Sequence, residues 1–198
     1  MTEYTVQING IKVSARYSER AVNEIFVPLL EKLTAMQRAA GRRILVLLAA
    51  PPGAGKSTLV SFLEKLASAI RQVRSGETCG WPVYDRLLHN PVEDAITVDG
   101  DIVLLEGNYL LLDEEGWRDL SAYADYTVSV SAGETLLRKR LIERKILTGV
   151  AEDAAVRFVD FSDMPNVRLC LEKSRPADLR LQVGEDGDYR IISPLSGS

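Results

Sequence analysis

One stretch of eight residues carries the clearest chemical signal in the sequence. Residues 50–57 read Ala-Pro-Pro-Gly-Ala-Gly-Lys-Ser and fit the phosphate-binding pattern G-x-x-x-x-G-K-[ST] at every defined position except the first, where alanine replaces glycine. The two glycines let backbone N–H groups turn inward around a polyphosphate, and the N-terminus of the following helix adds partial positive charge. The pattern predicts phosphate contacts from Pro52, Gly53, Ala54, Gly55, Lys56, Ser57 and Thr58.

Three side chains of this loop have distinct predicted roles. Lys56 reaches the β and γ phosphates, and the Ser57 hydroxyl is placed to ligate Mg²⁺. Thr58 is expected to assist at an α-phosphate oxygen. The alternative is a glycine-rich turn between a strand and a helix that binds nothing, and this alternative leaves the lysine after a buried strand unexplained.

An acidic residue follows a second apolar run. The run over 102–105 predicts a buried strand, and Glu106 stands at its carboxyl end. In a Walker B strand an acid at this position faces the phosphate loop and the metal, often through water. The residues after it, including Asn108 and Tyr109, would then line the site, with Asn108 on the substrate side. The alternative is an acid that only caps the strand.

An eleven-residue segment that begins at Trp81 concentrates aromatic, acidic, basic and imidazole side chains between two prolines. We interpret it as a loop that forms a small-molecule pocket. In this interpretation Asp85 binds hydroxyls, Arg86 binds a phosphate or carboxylate, and His89 binds a polar substituent. Tyr84 and Trp81 would cover a ring or a sugar face. For His89, a purely structural hydrogen bond stays open as an alternative.

A basic run over 138–145 lies in a predicted helix that begins at Glu134 and ends near Leu147. Arg140 and Arg144 are four residues apart and therefore share one helix face. If this face closes over the phosphate loop, both can neutralise charge on a transferring phosphoryl group. The alternative is a solvated basic face.

Strands that alternate with helices predict an α/β fold around a mostly parallel sheet. The continuous apolar run over 44–50 is typical of a strand covered on both faces. Apolar patterning predicts further strands at 102–105, 126–130, 179–183 and 189–192, and further helices at 57–73, 134–147, 153–161 and 165–173.

The N-terminal region predicts a hairpin and a helix. Alternating residues on both sides of Asn9 and Gly10 indicate the hairpin, and apolar spacing over 18–40 indicates a helix that kinks or restarts near Pro28 and ends at Gly41. We expect one domain, with residues 1–41 forming this element and residues 42–198 forming a nucleotide-binding core. The amphipathic helix also suggests a homodimer surface.

Composition narrows the classes of protein. The chain has 198 residues, of which 46% are hydrophobic and 26% charged, and this excludes disordered and collagen-like proteins. A net charge of −4 gives no positive field that favours nucleic acid. The longest apolar run is far shorter than the ~20 residues that span a bilayer, and the sequence starts without a basic and apolar leader. We predict a cytoplasmic protein without membrane insertion, with Cys79 and Cys170 as free thiols.

The order of these motifs resembles the uridine kinase, phosphoribulokinase and pantothenate kinase group, and most of all its bacterial branch of nucleoside or fructose-transport-associated kinases. The resemblance reaches from the N-terminal hairpin to about residue 178 and is carried by APPGAGKST, PVYDRLLHNP, VLLEGNYLLLD, RKRLIERK, PNV and SRPAD. It implies a three-layer P-loop fold and ATP-dependent, Mg²⁺-assisted phosphorylation of a hydroxyl on a nucleoside, a sugar or a pantothenate-like metabolite. A nucleotide-binding switch that has lost phosphoryl transfer stays open as the alternative.

The resemblance also implies roles for individual residues. It implies that the loop residues bind the triphosphate and that Ser57 and Glu106 bind the metal. It implies that Tyr84, Asp85 and His89 bind the acceptor and that Arg140 and Arg144 belong to the lid. It also implies that Asn166 and the segment 174–178, which ends at Asp178, bind the adenine.

One departure from this family concerns the stretch after the phosphate loop. The family carries a second strand there that ends in Asp-Gly-Phe-His or a similar sequence, and its aspartate is the expected base for the acceptor hydroxyl. Here the predicted helix runs through Ile70 and Arg71, and the chain reaches Trp81 without such a strand. We expect a segment of roughly 30 to 45 residues, the length of a strand-bearing unit, to be missing near Ile70 and Arg71. Without it, an enzyme loses the orientation of its acceptor.

Overall fold

The described strands form three sheets. The structure, a computed structural model, describes residues 2–8, 11–54, 79–85, 90–98, 100–115 and 117–193, with the backbone alone for 2, 6–8, 11–13, 79–85, 90–98 and 193. The nine strands are β1 (Thr2–Ile8), β2 (Ile11–Tyr17), β3 (Ile44–Ala49), β4 (Cys79–Asp85), β5 (Asn90–Val98), β6 (Ile102–Gly107), β7 (Tyr126–Ala132), β8 (Leu179–Val183) and β9 (Tyr189–Ser193).

The central sheet has the strand order β6-β3-β7-β8-β9. Strand β3 is parallel to both β6 and β7, β7 is parallel to β8, and only β9 runs antiparallel. Strands β1 and β2 form an antiparallel hairpin of their own. The α/β fold with a mostly parallel sheet and two terminal hairpins is therefore confirmed.

The N-terminal helix runs without interruption from residue 19 to residue 40. It consists of α1 (Glu19–Ala21), a π-helical stretch (Val22–Phe26) and α2 (Val27–Ala40). Pro28 lies in the first turn of α2, where a missing N–H costs little. Gly41 ends the helix with a φ of +62°, a conformation that favours glycine. The predicted end at Gly41 is confirmed. Of the two alternatives predicted near Pro28, a kink or a second helix, the structure has a new α-helical stretch that continues the π-helical one without a break.

Strand β3 is covered on both faces, as predicted. Val46 and Leu48 pack in the larger core cluster together with Phe26 of the N-terminal helix. Leu47 packs in a smaller cluster with Leu111, from the segment after β6. Because the apolar face of the N-terminal helix is buried in this chain's own core, it no longer argues for a homodimer, which stays a prediction without that support.

The N-terminal helix is docked to the C-terminal hairpin. The ring of Tyr189 lies 5.3 Å from Phe26 and 6.0 Å from Tyr17, centroid to centroid. Asp188 accepts a hydrogen bond of 2.6 Å from the Ser18 hydroxyl and another of 2.6 Å from the Arg20 guanidinium. Burial raises the pKa of Asp188, but these hydrogen bonds outweigh burial and hold the pKa below its usual value.

Three helices connect β7 to β8. They are α3 (Glu134–Leu147), α4 (Glu152–Phe158) and α5 (Met164–Lys173), and a π-helical stretch (Val159–Asp163) joins the last two. The helix predicted from Glu134 to Leu147 is confirmed at both ends. The helix predicted over 153–161 begins one residue earlier and widens into the π-helical stretch.

The interpretation of the segment that begins at Trp81 as a loop is wrong. Strands β4 and β5 form an antiparallel two-stranded sheet in which Trp81 lies opposite Ile96 and Asp85 opposite Asn90. The two prolines suggested a loop, but the register shifts between Trp81 and Val83, where a residue without an N–H is tolerated. Trp81, Tyr84 and Asp85 therefore lie on a strand.

An ion pair between an exposed arginine and a half-buried aspartate holds the amino end of the central sheet. Asp125 accepts hydrogen bonds from the Arg42 guanidinium at 2.6 Å and from the Leu45 amide at 2.8 Å. The Arg42 hydrogen bond is the main reason that the pKa of Asp125 lies below its ordinary value.

This pair makes the stability of the protein sensitive to acid. A carboxyl whose pKa is depressed in the folded state contributes its full stabilisation above its unfolded pKa of about 3.9 and loses it as the pH falls through the folded pKa. We therefore expect the urea midpoint of wild type to fall between pH 6 and pH 3, and the Asp125→Asn variant to show a smaller fall. Parallel curves for the two proteins would contradict this assignment.

Candidate functional site

The phosphate loop begins where β3 ends. The last residue of β3, Ala49, lies between Gly107 of β6 and Ser129 of β7. The chain then turns, with the Ala54 amide donating to the Pro51 carbonyl at 3.3 Å. Carboxyl ends of parallel strands are the usual ligand edge of such sheets, so the loop lies where a ligand is expected.

The described part of the loop ends at Ala54. Gly53 adopts a φ of +82°, and Pro52 and Ala54 flank it in the turn. Gly55, Lys56, Ser57 and Thr58 lie outside the described residues, and their phosphate and metal contacts stay predictions.

Helix α3 packs directly on this loop. A Cβ atom at Gly53 would lie 3.1 Å from Leu141 Cγ and 3.2 Å from the Leu137 carbonyl oxygen. Both leucines are fully buried. The contact leaves room for a glycine and for no larger residue. A side chain at position 53 would therefore push α3 and the loop apart.

The two lid arginines lie on the same helix but in different surroundings. Arg144 follows Leu137 and Leu141 along one stripe of α3, and it is exposed without a hydrogen bond or ion pair to the described residues. Arg140 is half-buried beside Tyr189. Burial raises the pKa of Tyr189 to about 12, and the positive charge of Arg140 acts in the opposite direction. Arg144 is therefore the arginine that continues the face in contact with the loop.

Glu106 lies next to the strand that leads into the loop. It pairs with Leu48 in the parallel register of β6 and β3, one position before the pair of Gly107 with Ala49. The residue is half-buried. The sheet register therefore puts this acid near the carboxyl end of β6, beside the strand that leads into the loop, as the sequence predicts.

These residues fit a magnesium ion. Mg²⁺ usually keeps several water ligands and is bound by one or two carboxylates together with substrate phosphates. Glu106 supplies such a carboxylate beside the strand that leads into the loop. Among the described residues no group of three or more histidine, cysteine, aspartate or glutamate side chains that could hold a metal ion occurs.

A cavity of about 170 Å³ lies behind the start of the loop. Its lining includes Ala50 and Pro51, and the charged side chains that the described part of the chain contributes to it are two arginines. The polar lining residues are Asn108, Ser129, Ser131, Ser174, Arg175 and Arg180. Sequence reasoning missed the serines of β7, although their alternation with Val128 and Val130 was a sign that one face of this strand is polar.

The structure does not bring Asp178 to this cavity. Asp178 accepts hydrogen bonds from the Thr127 amide at 2.9 Å and from the Thr127 hydroxyl at 2.6 Å. Thr127 lies near the amino end of β7, away from the loop edge. Of the segment expected at the adenine, only Ser174, Arg175 and Pro176 line the cavity, and a nucleotide contact by Asp178 stays a prediction without geometric support.

Asn166 is tied to the segment after β6. Its side-chain oxygen accepts a 2.8 Å hydrogen bond from the Tyr109 hydroxyl, and its side-chain nitrogen donates to the Ser162 carbonyl at 2.9 Å. The Tyr109 ring packs edge-on against Trp117, with centroids 5.2 Å apart. Asn166 therefore lies at the loop edge of the sheet, but it does not line the cavity. Its predicted contact with adenine stays a prediction.

The acceptor residues are the least described part of the site. Trp81, Tyr84 and Asp85 lie on β4, and Arg86 and His89 lie outside the described residues. Their contacts with an acceptor stay predictions.

Comparison with known proteins decides the family. No family model matches the sequence. The sequence is 35% identical to the uncharacterized protein YggC of Escherichia coli strain K12 over 232 aligned positions, which cover 94% of this chain and 98% of YggC. It is 28% identical over 109 positions to the ATP-dependent kinase-like protein notR' of Aspergillus versicolor, covering 50% of this chain and 63% of that protein.

Solved structures point to the same group. A Silicibacter sp. TM1040 protein, provisionally named a fructose transport system kinase, superimposes with a TM-score of 0.60 at 25% identity, covering 75% of this chain and 98% of that one. This chain belongs to the P-loop kinase family. In this P-loop kinase the chain enters the phosphate-loop sequence at the carboxyl end of β3, in the middle of the parallel strands.

Part of the alignment with YggC has no counterpart in this P-loop kinase. Since 94% of 198 residues is about 186 residues, about 46 of the 232 aligned positions have no counterpart in this chain. The size matches the segment that the sequence led us to expect, and its expected location near Ile70 and Arg71 lies outside the described residues. Within the described strands, nothing pairs with the free side of β6. None of the described helices is both long and apolar enough to cross a membrane.

Proposed function

We propose that this P-loop kinase transfers the γ-phosphoryl group of ATP to a hydroxyl of a small metabolite of the nucleoside, sugar or pantothenate-like class. The observation that carries the proposal is the contact of α3 with the phosphate loop at Gly53, beside Glu106 at the end of β6. In this proposal, the contact brings an anion-binding turn, a metal-binding carboxylate and a basic helix together at one edge of the sheet.

Each element has a task in such a transfer. The loop binds the triphosphate through its backbone N–H groups, and Lys56 places a positive charge at the β and γ phosphates. Ser57 and Glu106 would hold Mg²⁺, which neutralises charge on the phosphates when bound. Arg144 lies one turn beyond Leu141 on α3. In this proposal its positive charge neutralises the negative charge that develops on the phosphoryl group during transfer. Cytoplasmic location and dependence on Mg²⁺ belong to the same proposal.

A second candidate is a nucleotide-binding module that has lost phosphoryl transfer. The roughly 46 aligned positions of YggC without a counterpart in this chain favour it, because their number is close to the length of the strand-bearing segment that we expect to be missing. In this case the chain binds ATP in a Mg²⁺-dependent way and has no acceptor to phosphorylate.

A coupled assay of ADP formation separates the two candidates. The purified chain is incubated with ATP and Mg²⁺ and with a panel of nucleosides, hexoses and pantothenate-like polyols. We expect one acceptor class to stimulate ADP formation, and the Lys56→Ala variant to lose about 10²–10³-fold of that rate, the scale of one electrostatic contact in a site.

Two results would change this conclusion. Tight Mg²⁺-dependent ATP binding without stimulation by any acceptor would favour the binding module. An unchanged rate in Lys56→Ala would sink the kinase proposal, because the phosphate loop would then have no part in turnover.

A further inference from the structure

The cavity behind the start of the phosphate loop carries positive charge. Arg175 and Arg180 line it, and the described part of the chain contributes no acidic side chain to the lining. Neither guanidinium has a carboxylate partner among the described residues. Arg175 makes only long hydrogen bonds, of 3.4 Å to the Arg118 carbonyl and 3.5 Å to the Ser121 hydroxyl. Two like charges on one small cavity repel each other, and an anion bound between them would relieve this repulsion.

The register of the central sheet brings Arg180 to this cavity. Ala49, Ser129 and Arg180 lie side by side on β3, β7 and β8. Aligned residues of neighbouring strands share one face of the sheet, and the small alanine and serine leave a hollow beside the arginine. The hydroxyls of Ser129 and Ser174, both in the lining, make no hydrogen bond to the described residues. The hollow therefore offers two hydroxyl donors together with two guanidinium groups.

The size and the other walls of the cavity fit the anionic end of a small metabolite. Its volume of about 170 Å³ is below the range of roughly 300–1,000 Å³ that is usual for drug-sized ligands. Leu171, Pro176 and Ile192 add apolar walls beside the arginines. An inorganic ion needs no such walls, whereas a carbon skeleton that carries one carboxylate or phosphate group uses both parts of the lining.

The position of the cavity favours the acceptor over the nucleotide base. Its lining includes Ala50 and Pro51 at the start of the loop, and Asn108, two residues after Glu106. The family resemblance predicts adenine contacts for the segment 174–178, but adenine is uncharged and would leave both guanidinium groups without a counter-charge. A molecule with its anionic end between the arginines can extend past the start of the loop towards the transferred phosphoryl group.

We infer that the acceptor of this kinase is itself an anion, a hydroxyl compound with a carboxylate or phosphate group, and that Arg175 and Arg180 bind this group. The inference rests on the proposed function and narrows its acceptor classes to their anionic members. Arginine binds carboxylate and phosphate alike through two parallel N–H···O bonds, so one site serves either group.

The anionic group positions the acceptor and does not react. The hydroxyl oxygen of the same molecule forms a bond to the γ-phosphorus of ATP, and its proton passes to water. The bond from the γ-phosphorus to the β,γ-bridging oxygen breaks, and ADP leaves with that electron pair. ATP and the anionic alcohol thus give ADP, a phosphate ester and one proton.

Matched pairs of acceptors test the inference on the wild-type chain. The members of each pair differ at the anionic group: pantothenate and its neutral alcohol analogue panthenol, ribose 5-phosphate and ribose, uridine 5′-monophosphate and uridine. ADP formation with ATP and Mg²⁺ is measured for each compound. We expect the anionic member of at least one pair to stimulate the reaction, with a KM lower than that of its neutral partner by about 10-fold or more. The pair that responds shows whether the site takes a carboxylate or a phosphate.

Arg180→Gln tests the assignment of the binding residue, and Arg157→Gln is the matched control. Arg157 is an exposed arginine on α4 that pairs with Asp153 at 2.9 Å. We expect Arg180→Gln to raise the KM of the anionic acceptor by about 10-fold or more and to leave kcat nearly unchanged. ATP affinity by calorimetry and the KM of the neutral partner should stay as in wild type. Because Arg180 is exposed, the melting temperature should not change. Arg157→Gln should equal wild type in every measurement.

The outcomes separate this inference from the proposed function. A wild type that the neutral members stimulate as well as the anionic ones overturns the inference alone. An Arg180→Gln protein with weaker ATP binding and an unchanged acceptor KM also overturns it, because the cavity then serves the nucleotide. A wild type that no compound of any pair stimulates overturns the proposed function, and the inference with it.

Discussion

Substitution of Gly53 by valine is expected to remove most of the nucleotide affinity of the protein. The residue has a φ of +82°, where a β-branched side chain is strained by about 1–2 kcal/mol. Its Cβ would lie 3.1 Å from Leu141 Cγ and 3.2 Å from the Leu137 carbonyl, and overpacking of this kind costs about 1–3 kcal/mol. The Leu137 oxygen belongs to the backbone of α3, so it cannot turn aside as a side-chain atom would. The loop therefore has to move. A displacement of about 1 Å can cost ~10²-fold, and we expect a loss of this size in Mg²⁺-dependent ATP binding by calorimetry.

Gly41→Ala is the matched control for this variant. Gly41 has a φ of +62°, and a Cβ atom there meets nothing within 4 Å. The control therefore imposes backbone strain without a collision, away from the loop. We expect it to lower the free energy of unfolding by about 1 kcal/mol and to leave ATP affinity unchanged. If Gly53→Val bound ATP as well as Gly41→Ala does, the close contact between the loop and α3 would be refuted.

Phe26→Ala should be the most destabilising single change among the described residues. The side chain is fully buried and makes edge-on contacts with Tyr17 at 5.4 Å and Tyr189 at 5.3 Å. Removal of a buried phenylalanine costs about 3–5 kcal/mol through lost burial and the cavity that remains. Domains have only about 5–15 kcal/mol of stability. We expect a large fall in the urea midpoint, and partial rescue by Phe26→Leu.

Phe161→Ala provides the comparison. Phe161 is 89% exposed on the π-helical stretch before α5, so its truncation should change the free energy of unfolding by no more than about 0.5 kcal/mol. Equal losses in the two variants would show that the N-terminal helix is not part of the folded core.

Local signals in the sequence were sufficient for most helices and strands of the core. The end of the N-terminal helix is encoded by Gly41, because a left-handed residue is needed there. Strand β3 is encoded by an unbroken apolar run, because both of its faces are buried. The phosphate loop combines a motif with this context, and its position at the end of β3 follows from both.

The same local signals could not predict which groups the polar side chains bind. Asp178 binds Thr127, 51 residues away, and Tyr109 binds Asn166, 57 residues away. Periodicity reports which face of an element is buried and carries nothing about which distant group meets it.

The hairpin of β4 and β5 shows a different limit. Two prolines and a mixture of charged and aromatic residues looked like a loop, since proline removes a ladder hydrogen bond. A two-stranded ribbon has a free side on each strand, so proline is tolerated where the N–H faces outward or at a register shift, as between Trp81 and Val83.

The contact between Ser18 and Asp188 determines when the protein can complete its fold during synthesis. The two residues are 170 positions apart. At about 5–20 residues per second, a ribosome needs roughly 9 to 34 s to add the chain between them. During this interval Phe26 lacks Tyr189, and the apolar stripe of the N-terminal helix is available to other nascent chains. A holdase chaperone that binds amphipathic helices would therefore be needed longest at the N-terminal helix, residues 19–40.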